Sequence, residues 1–384
     1  MTVYAPTPAG DKALVCRYIR RQNPPYAELR LSEKTDEAST ASNMRALLRY
    51  VSLIPYLDDA ATGARLDVWN TADSFLDLNA GDAEEHATLL CNLFLGLGRK
   101  DAHVVLGREL PEGDVAYVLT LRPVRLWNAH TGRCYTRDDP KSPLSACPLS
   151  HVGVVFNDRN VWANRQLADR PREMQWNLED PACWKKLFDG AAKRSADSLP
   201  AFTETEWATK PGLAPLQRKG LTYHRMHDEY RADLEAEIEE RLKEELQDLR
   251  GARPTDWNIS VGKTLKELLV RFEEDASGGV KLSQDYHDQT LDKVSKSMHL
   301  VGLPLHHALV ATPPPVGAAQ ADLVEGPVLK PLLLKLRHSN VWRAESAKIK
   351  FALSCYVHPY PNHLASVWVY VAALHDDKFA AVGP

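Results

Sequence analysis

The sequence predicts an α+β fold, and three observations carry that prediction. Ala83–Leu97 forms a helix that is apolar on nearly every side. Four short apolar runs follow it, His103–Leu106, Val115–Leu121, Val124–Trp127 and Val152–Phe156, with turn residues rather than helices between them. The chain then closes on two more strand-like runs, Phe351–Val357 and Leu364–Leu374. Successive strands without βαβ alternation argue for a layered α+β arrangement rather than a doubly wound parallel sheet.

Taken in order, residues 1–56 read as an N-terminal helical segment packing on the core. Its helices fall at 12–22 and 43–54, with Asn23-Pro24-Pro25 as the breaker between them. Residues 57–190 hold the main domain. Its central helix has Asp82 as N-cap and Glu85 three residues on, a capping-box pattern. Glu84 and Glu85 add negative charge in the first turn, where the helix dipole favours it, and Gly98 ends the helix. Residues 191–222, rich in Ala, Ser, Pro, Thr and Lys, read as a linker, and residues 223–310 as a helical region.

In that region Met226, Tyr230, Leu234, Ile238, Leu242 and Leu246 recur every four residues, marking one amphipathic helix over 224–250. A second amphipathic helix runs over 261–274, and Pro313-Pro314-Pro315 falls in an expected loop at 311–327. Residues 328–384 form a C-terminal segment with a β-hairpin at 351–374. Pro359 and Pro361 define its turn, and Tyr356, Trp368 and Tyr370 supply apolar area expected to bury against the central sheet.

Composition narrows the function classes. Of 384 residues, 47 are Lys or Arg and 51 Asp or Glu, so the net charge of −4 gives no basic field for nucleic acid. The longest apolar stretch, Leu364–Leu374, is about half of the ~20 residues a membrane helix needs. The first residues carry no secretory signal pattern, so the chain is expected to be cytoplasmic. Six scattered cysteines without a Cys-x-x-Cys pair argue against a disulfide framework or structural zinc. His224 with His227, and His306 with His307, lack the Cys or carboxylate partners a metal would require. Neither metal nor cofactor is expected.

The stretch Gly81-Asp82-Ala83-Glu84-Glu85-His86-Ala87 resembles the nucleophile motif of transglutaminase-like peptidases, in which Cys occupies the third position. A Cys at a helix N-terminus is activated because the dipole favours its thiolate. Here that position is Ala83. The same resemblance aligns the base with Val115, in Val115-Ala116-Tyr117-Val118, and the orienting acid with Asn128. Losing a nucleophile alone costs on the order of 10⁶ in turnover in a dissected hydrolase. The resemblance thus implies a degenerate transglutaminase-like (papain-type) fold with a helical C-terminal extension and a closing β-hairpin, and a pseudoenzyme rather than an enzyme.

A wider resemblance, to the coiled-coil and C2-domain proteins of the ciliary transition zone associated with Meckel and Joubert syndromes, covers about residues 15 to 376. It rests on Arg49–Pro55, Phe75–Leu78, Gly81–Ala87, Leu89–Asn92, Ala116–Thr120, Leu126–Asn128, Tyr356–Pro361 and Ser366–Trp368. That family also lacks the Cys and the His. It implies a structural or peptide-binding role at the cilium base, at the transition zone or basal body, in association with the cytoskeleton. The partners it implies are proteins of the transition-zone complex, and tubulin tails. The coiled coil and C2 domain of that family have no counterpart here, so lipid contacts of the C2 domain do not carry over. A fragment, a split product and a short paralogue all remain open.

The expected cleft gathers Ala83, Val115 and Asn128, rimmed by Glu84, His86, Tyr117 and Trp127. Arg99, Lys100, Arg108, Arg122 and Arg125 are near in sequence as basic walls for an acidic ligand. The enzyme alternative is a cysteine hydrolase with its nucleophile displaced to Cys91 or Cys134, and the third reading is a purely architectural part.

Overall fold

The computed structural model describes residues 3–26, 36–59, 63, 67–111, 113–137, 139–188, 214–278, 284–295, 298–311, 329–346 and 348–375. The chain divides into two compact units, Met1–Thr222 and Tyr223–Pro384. The expected loop at 311–327, apart from its first residue, and most of the expected linker lie outside the described residues.

In the first unit, β1 (Tyr4–Pro6) and β2 (Lys12–Leu14) form a small antiparallel pair, followed by a 3-10 turn at Val15–Tyr18. The helix expected over 12–22 is therefore absent. Ala13, Leu14, Val15, Cys16, Tyr18 and Ile19 are all buried, so this stretch has no solvent face for a helix to turn outward. Helix α1 runs Glu37–Ser52, six residues earlier than the sequence suggests, because Asp36 caps it by accepting from Ser39 N. Helix α2 spans Ala72–Leu78 and α3 spans Ala83–Leu97.

Seven antiparallel strands then build one sheet. They are β3 (Ala102–Glu109), β4 (Gly113–Leu121), β5 (Val124–Asn128), β6 (Arg133–Thr136), β7 (Leu149–Phe156), β8 (Val161–Asn164) and β9 (Trp184–Lys186), in the order β6-β5-β4-β3-β7-β8-β9. Helix α3 packs on β3 and β4 and is buried almost throughout.

The N-terminal segment lies along α3. Gln22 N donates to Asn92 O, Arg20 N to Asn92 Oδ1, and Asn92 Nδ2 to Tyr18 O. Gly96 makes that approach possible, since a Cβ there would lie 1.7 Å from Gln22 O. Residues 214–221, assigned to the linker, instead dock on this segment. Leu216 N donates to Arg17 O, Arg17 Nε to Ala214 O and Leu221 N to Gln22 Oε1.

The second unit is not a helical extension. Its four-stranded sheet has the order β10-β12-β13-β11, from β10 (Asp256–Trp257), β11 (His299–Val310), β12 (Lys350–Pro359) and β13 (Leu364–His375). The region expected to be helical up to 310 ends in β11, which pairs with β13 along its whole length. Gly302 and Pro304 disfavour a helix there, and the edge position of β11 tolerates the proline. The expected hairpin forms, with Asn362 and His363 at positive φ in its turn. It lies at the centre of the second unit's own sheet and is not part of the seven-stranded one.

Helix α4 (Asp228–Arg250) covers one face of this sheet through Leu234, Ile238, Leu242 and Leu246, with α7 (Leu329–His338) beside it. Each such buried aliphatic side chain contributes about 1.5–3 kcal/mol. Helix α5 (Ile259–Ala276) covers the other face through Leu265, Leu268 and Leu269, with α6 (Gln284–Ser295) next to it. From α5, the buried carboxylate of Glu273 accepts from Tyr360 OH (2.6 Å), Ser366 Oγ (2.5 Å) and Trp368 Nε1 (2.5 Å), tying the helix to the hairpin.

Glu273→Ala removes the one buried carboxylate that three donors share, so chemical denaturation should show a loss of about 3 kcal/mol. Glu274→Ala removes only a surface pair with Arg271 and should stay within about 1 kcal/mol.

Candidate functional site

Asp82 and Glu85 form the capping box that the sequence predicts. Asp82 N donates to Glu85 Oε2 at 3.0 Å and the Asp82 side chain caps the first turn. Glu85 Oε1 also accepts from Asn70 N at 2.7 Å, which locks the strand-like approach at 68–70 to the helix start. A second segment crosses the same point, with Leu57 N donating to Gly81 O and Gly81 N to Pro55 O. Tyr56, carried by that segment, packs its ring against His130 with centroids 4.3 Å apart. The turn after β5 therefore reaches the start of α3, because His130 lies 5.9 Å from His86.

The motif positions themselves do not converge. Ala83 is the first residue of α3 and is nearly buried. Side chains alternate along a strand, and Trp127 faces α3, its ring 5.2 Å from Phe94. Val115 and Tyr117 point to the opposite face, into an apolar cluster with Leu119, Leu126, Trp176 and Trp184. Asn128 joins them, since its Nδ2 donates to Tyr117 OH (2.9 Å), which in turn donates to buried Glu109 (2.5 Å). Asn128 Oδ1 also accepts from Thr131 N, the side-chain turn typical of Asn. Asn128 thus organises a turn and a buried hydrogen-bond chain. The turn at 128–130 comes close to α3, but the Val115 and Asn128 side chains do not face it.

His86 is fully buried rather than on a rim. Its Nδ1 faces Asp82 O at 2.5 Å and its Nε2 faces Ile54 O at 3.0 Å. Two carbonyl acceptors favour the charged ring, but burial is the larger effect and pulls its pKa down. Trp127 is also buried and donates to Thr120 Oγ1. Burial and then Glu109 hold Tyr117 well above the usual phenol range.

The electrostatics at the start of α3 are anionic. Asp59, Asp67 and Asp82 bring carboxylate oxygens within 4.8 Å of one another, a grouping the sequence did not reveal because it joins segments brought together by the fold. Burial, then Asp82 and Asp67, push Glu84 well above the usual carboxylate range, and burial raises Glu85 likewise. Partial burial, then Asp82, takes Asp67 from 3.8 to about 6. Such surroundings would oppose a thiolate at position 83, the reverse of what nucleophile activation requires.

Burial raises the pKa of both candidate substitute thiols. Cys91 is fully buried, and burial holds its pKa far above the ordinary thiol value. Cys134 is pushed to about 12 by burial, with Arg125 and Arg45 pulling less strongly the other way. Of the expected basic walls, Arg99 binds Asp101 and Arg122 O, Arg108 binds Asp114, and Arg125 binds Glu37 at 3.1 Å.

The first unit is thus an α+β domain of peptidase-like family in which the helix start carries a methyl group and a ring of carboxylates. Residues 67–187 match the CEP76 peptidase-like domain, and residues 228–375 match the C-terminal domain of the centrosomal protein of 76 kDa. The chain belongs to the family that these two domain models define. It is 31% identical over 95% of its length to Protein CC2D2B of Homo sapiens, and 24% identical over 85% to Coiled-coil and C2 domain-containing protein 2A of Drosophila melanogaster. It is 27% identical over 76% to Centrosomal protein of 76 kDa of Xenopus tropicalis. The chain spans 22% of the length of each of the first two relatives and 42% of the third. Among solved structures, calcium-bound LapG of Legionella pneumophila aligns at 16% identity with a TM-score of 0.26, covering 35% of this chain and 83% of that one. An overlap of that size carries no argument.

A raised carboxyl pKa means that the folded state holds its proton more tightly than the unfolded chain. The stability Asp67 contributes is therefore fully present below about pH 4 and is lost as pH rises through about 6. Asp67 is partly exposed, and solvent screening keeps the effect modest. Denaturation curves across this range should show Asp67→Asn gaining stability relative to the parent chain above pH 6 and not below pH 4.

Proposed function

We propose that this chain is a catalytically inactive, degenerate transglutaminase-like protein that binds protein partners as a component of the cilium base, supporting cilium assembly. The observation that carries this reading is the start of α3, where Ala83 stands in the nucleophile position among Asp59, Asp67, Asp82 and Glu84. The enzyme reading needs another activated thiol, and burial keeps Cys91 and Cys134 protonated at neutral pH. The relatives named for the centrosome support a location there. The transition zone, its protein complex and acidic tubulin tails as ligands follow from the resemblance to the ciliary family. The purely architectural reading assigns all function to the second unit.

An electrophilic thiol probe on the folded chain should label neither Cys91 nor Cys134 faster than in denatured protein, and selective labelling of either would restore the hydrolase reading. Ala83→Cys should create no hydrolase, because Val115 and Asn128 face the other side of the sheet. In ciliated cells the tagged chain should concentrate at the centrosome or cilium base, with proximity labelling recovering proteins of that compartment. A diffuse distribution would count against the assignment. If substitutions in the first unit abolish that localisation while deletion of 224–275 leaves it intact, the architectural reading fails.

A further inference from the structure

A cavity of about 150 Å³ opens on the α3 side of the seven-stranded sheet, between α1 and the β5–β6 hairpin. Ala41, Arg45, Arg125, Trp127, Cys134, Thr136 and Asp139 line it. A cavity of this volume is large enough to take up a benzene molecule, so one carboxylate-bearing side chain fits and a folded domain does not.

Two guanidinium groups reach it. Arg125 is held over the Trp127 ring, 6.0 Å from its centroid, and binds Glu37 Oε1 at 3.1 Å. Glu37 is half exposed at the first turn of α1 and also approaches Arg99, at 3.7 Å. Arg45 is exposed, and among the described residues it has no acidic partner. Opposing them, one Asp139 oxygen accepts from Lys141 N, so the lining sets two guanidinium groups against one carboxylate and stays net positive. Arg122, Arg133, Arg137 and Lys141, close to these strands in sequence, are exposed as well.

We propose that this cavity is a receptor for the carboxylate side chain of an acidic peptide segment, which Arg45 and Arg125 grip against the Trp127 ring. The resident carboxylate of Glu37 indicates the ligand chemistry. Arg125 already takes a carboxylate from this chain, and an incoming one engages the donors of Arg45 while sharing Arg125 with it. Charge-assisted bonds from guanidinium to carboxylate are the strongest hydrogen bonds open to such a site. The assignment deepens the protein-binding reading above and moves the ligand from the start of α3 to the far end of the sheet, beside β6.

The test uses the whole chain and a fluorescein-labelled hexaglutamate peptide, read by fluorescence anisotropy, with hexaglutamine and inorganic phosphate as comparisons. Hexaglutamate should bind, more weakly at higher salt, and hexaglutamine should not. Arg45→Gln should weaken binding about tenfold while the thermal transition stays in place, since Arg45 is exposed. Glu37→Gln should tighten binding several-fold by removing the competitor. Absence of hexaglutamate binding, unchanged affinity in Arg45→Gln, or weaker binding in Glu37→Gln would each overturn the proposal. So would phosphate displacing the peptide at equal charge concentration, which would mark a site for any small oxyanion. Centrosomal localisation that persists without peptide binding would refute the cavity and leave the broader reading standing.

Discussion

A helix with no solvent face has to be covered on every side, and the first unit is organised around meeting that demand for α3. Its apolar residues lie on the sheet, and its polar ones are satisfied within the protein. Asn92 is buried mid-helix and holds the N-terminal segment through three hydrogen bonds. Glu85 binds both its own cap and Asn70. His86 is enclosed by the carbonyls of Asp82 and Ile54. Because each of these groups is costly to bury unpaired, each one recruits a distant piece of chain. The segments at 18–22, 54–57 and 68–70 are held in place by hydrogen bonds to α3.

The second unit meets a different constraint, the exposed edge of a sheet. Among the described residues, strand β12 has no neighbouring strand on its outer side beyond the two-residue pairing with β10. Two carboxylates of α4 take that place. Glu235 Oε2 accepts from Val357 N at 3.0 Å and Glu239 Oε2 from Cys355 N at 3.3 Å. Lys266 of α5 pairs with Glu235, so helices from both faces close over the edge. Capping edge amides with charged side chains prevents further strands from adding. The acidic character of α4 thus serves the sheet as well as solvation.

The same fold surrounds the start of α3 with carboxylates. An activated thiolate needs positive potential, and here three separate segments deliver carboxylates to one place, through Asp59, Asp67 and the Asp82–Glu85 helix start. Two positive groups of the unit meet elsewhere, where Arg45 of α1 and Arg125 of β5 face a cavity.

Much of this was legible in the sequence. The capping box, the burial of α3, the strands β3, β4, β5 and β7, the four-residue stripe of α4 and the closing hairpin all follow from local pattern, because periodicity and cap chemistry act within a few residues of chain. The segment 12–22, the strand β11 and the docking of 214–221 were not legible, because non-local partners override local propensity there. The clustering of Asp59, Asp67 and Asp82, the facing of Val115 and Asn128 away from α3, and the pairing of Arg45 with Arg125 were decided only by the tertiary structure. Sequence by itself determined which side chains are present and how each short element forms. Which of them meet depended on strand alternation and on how a fully buried helix had to be covered.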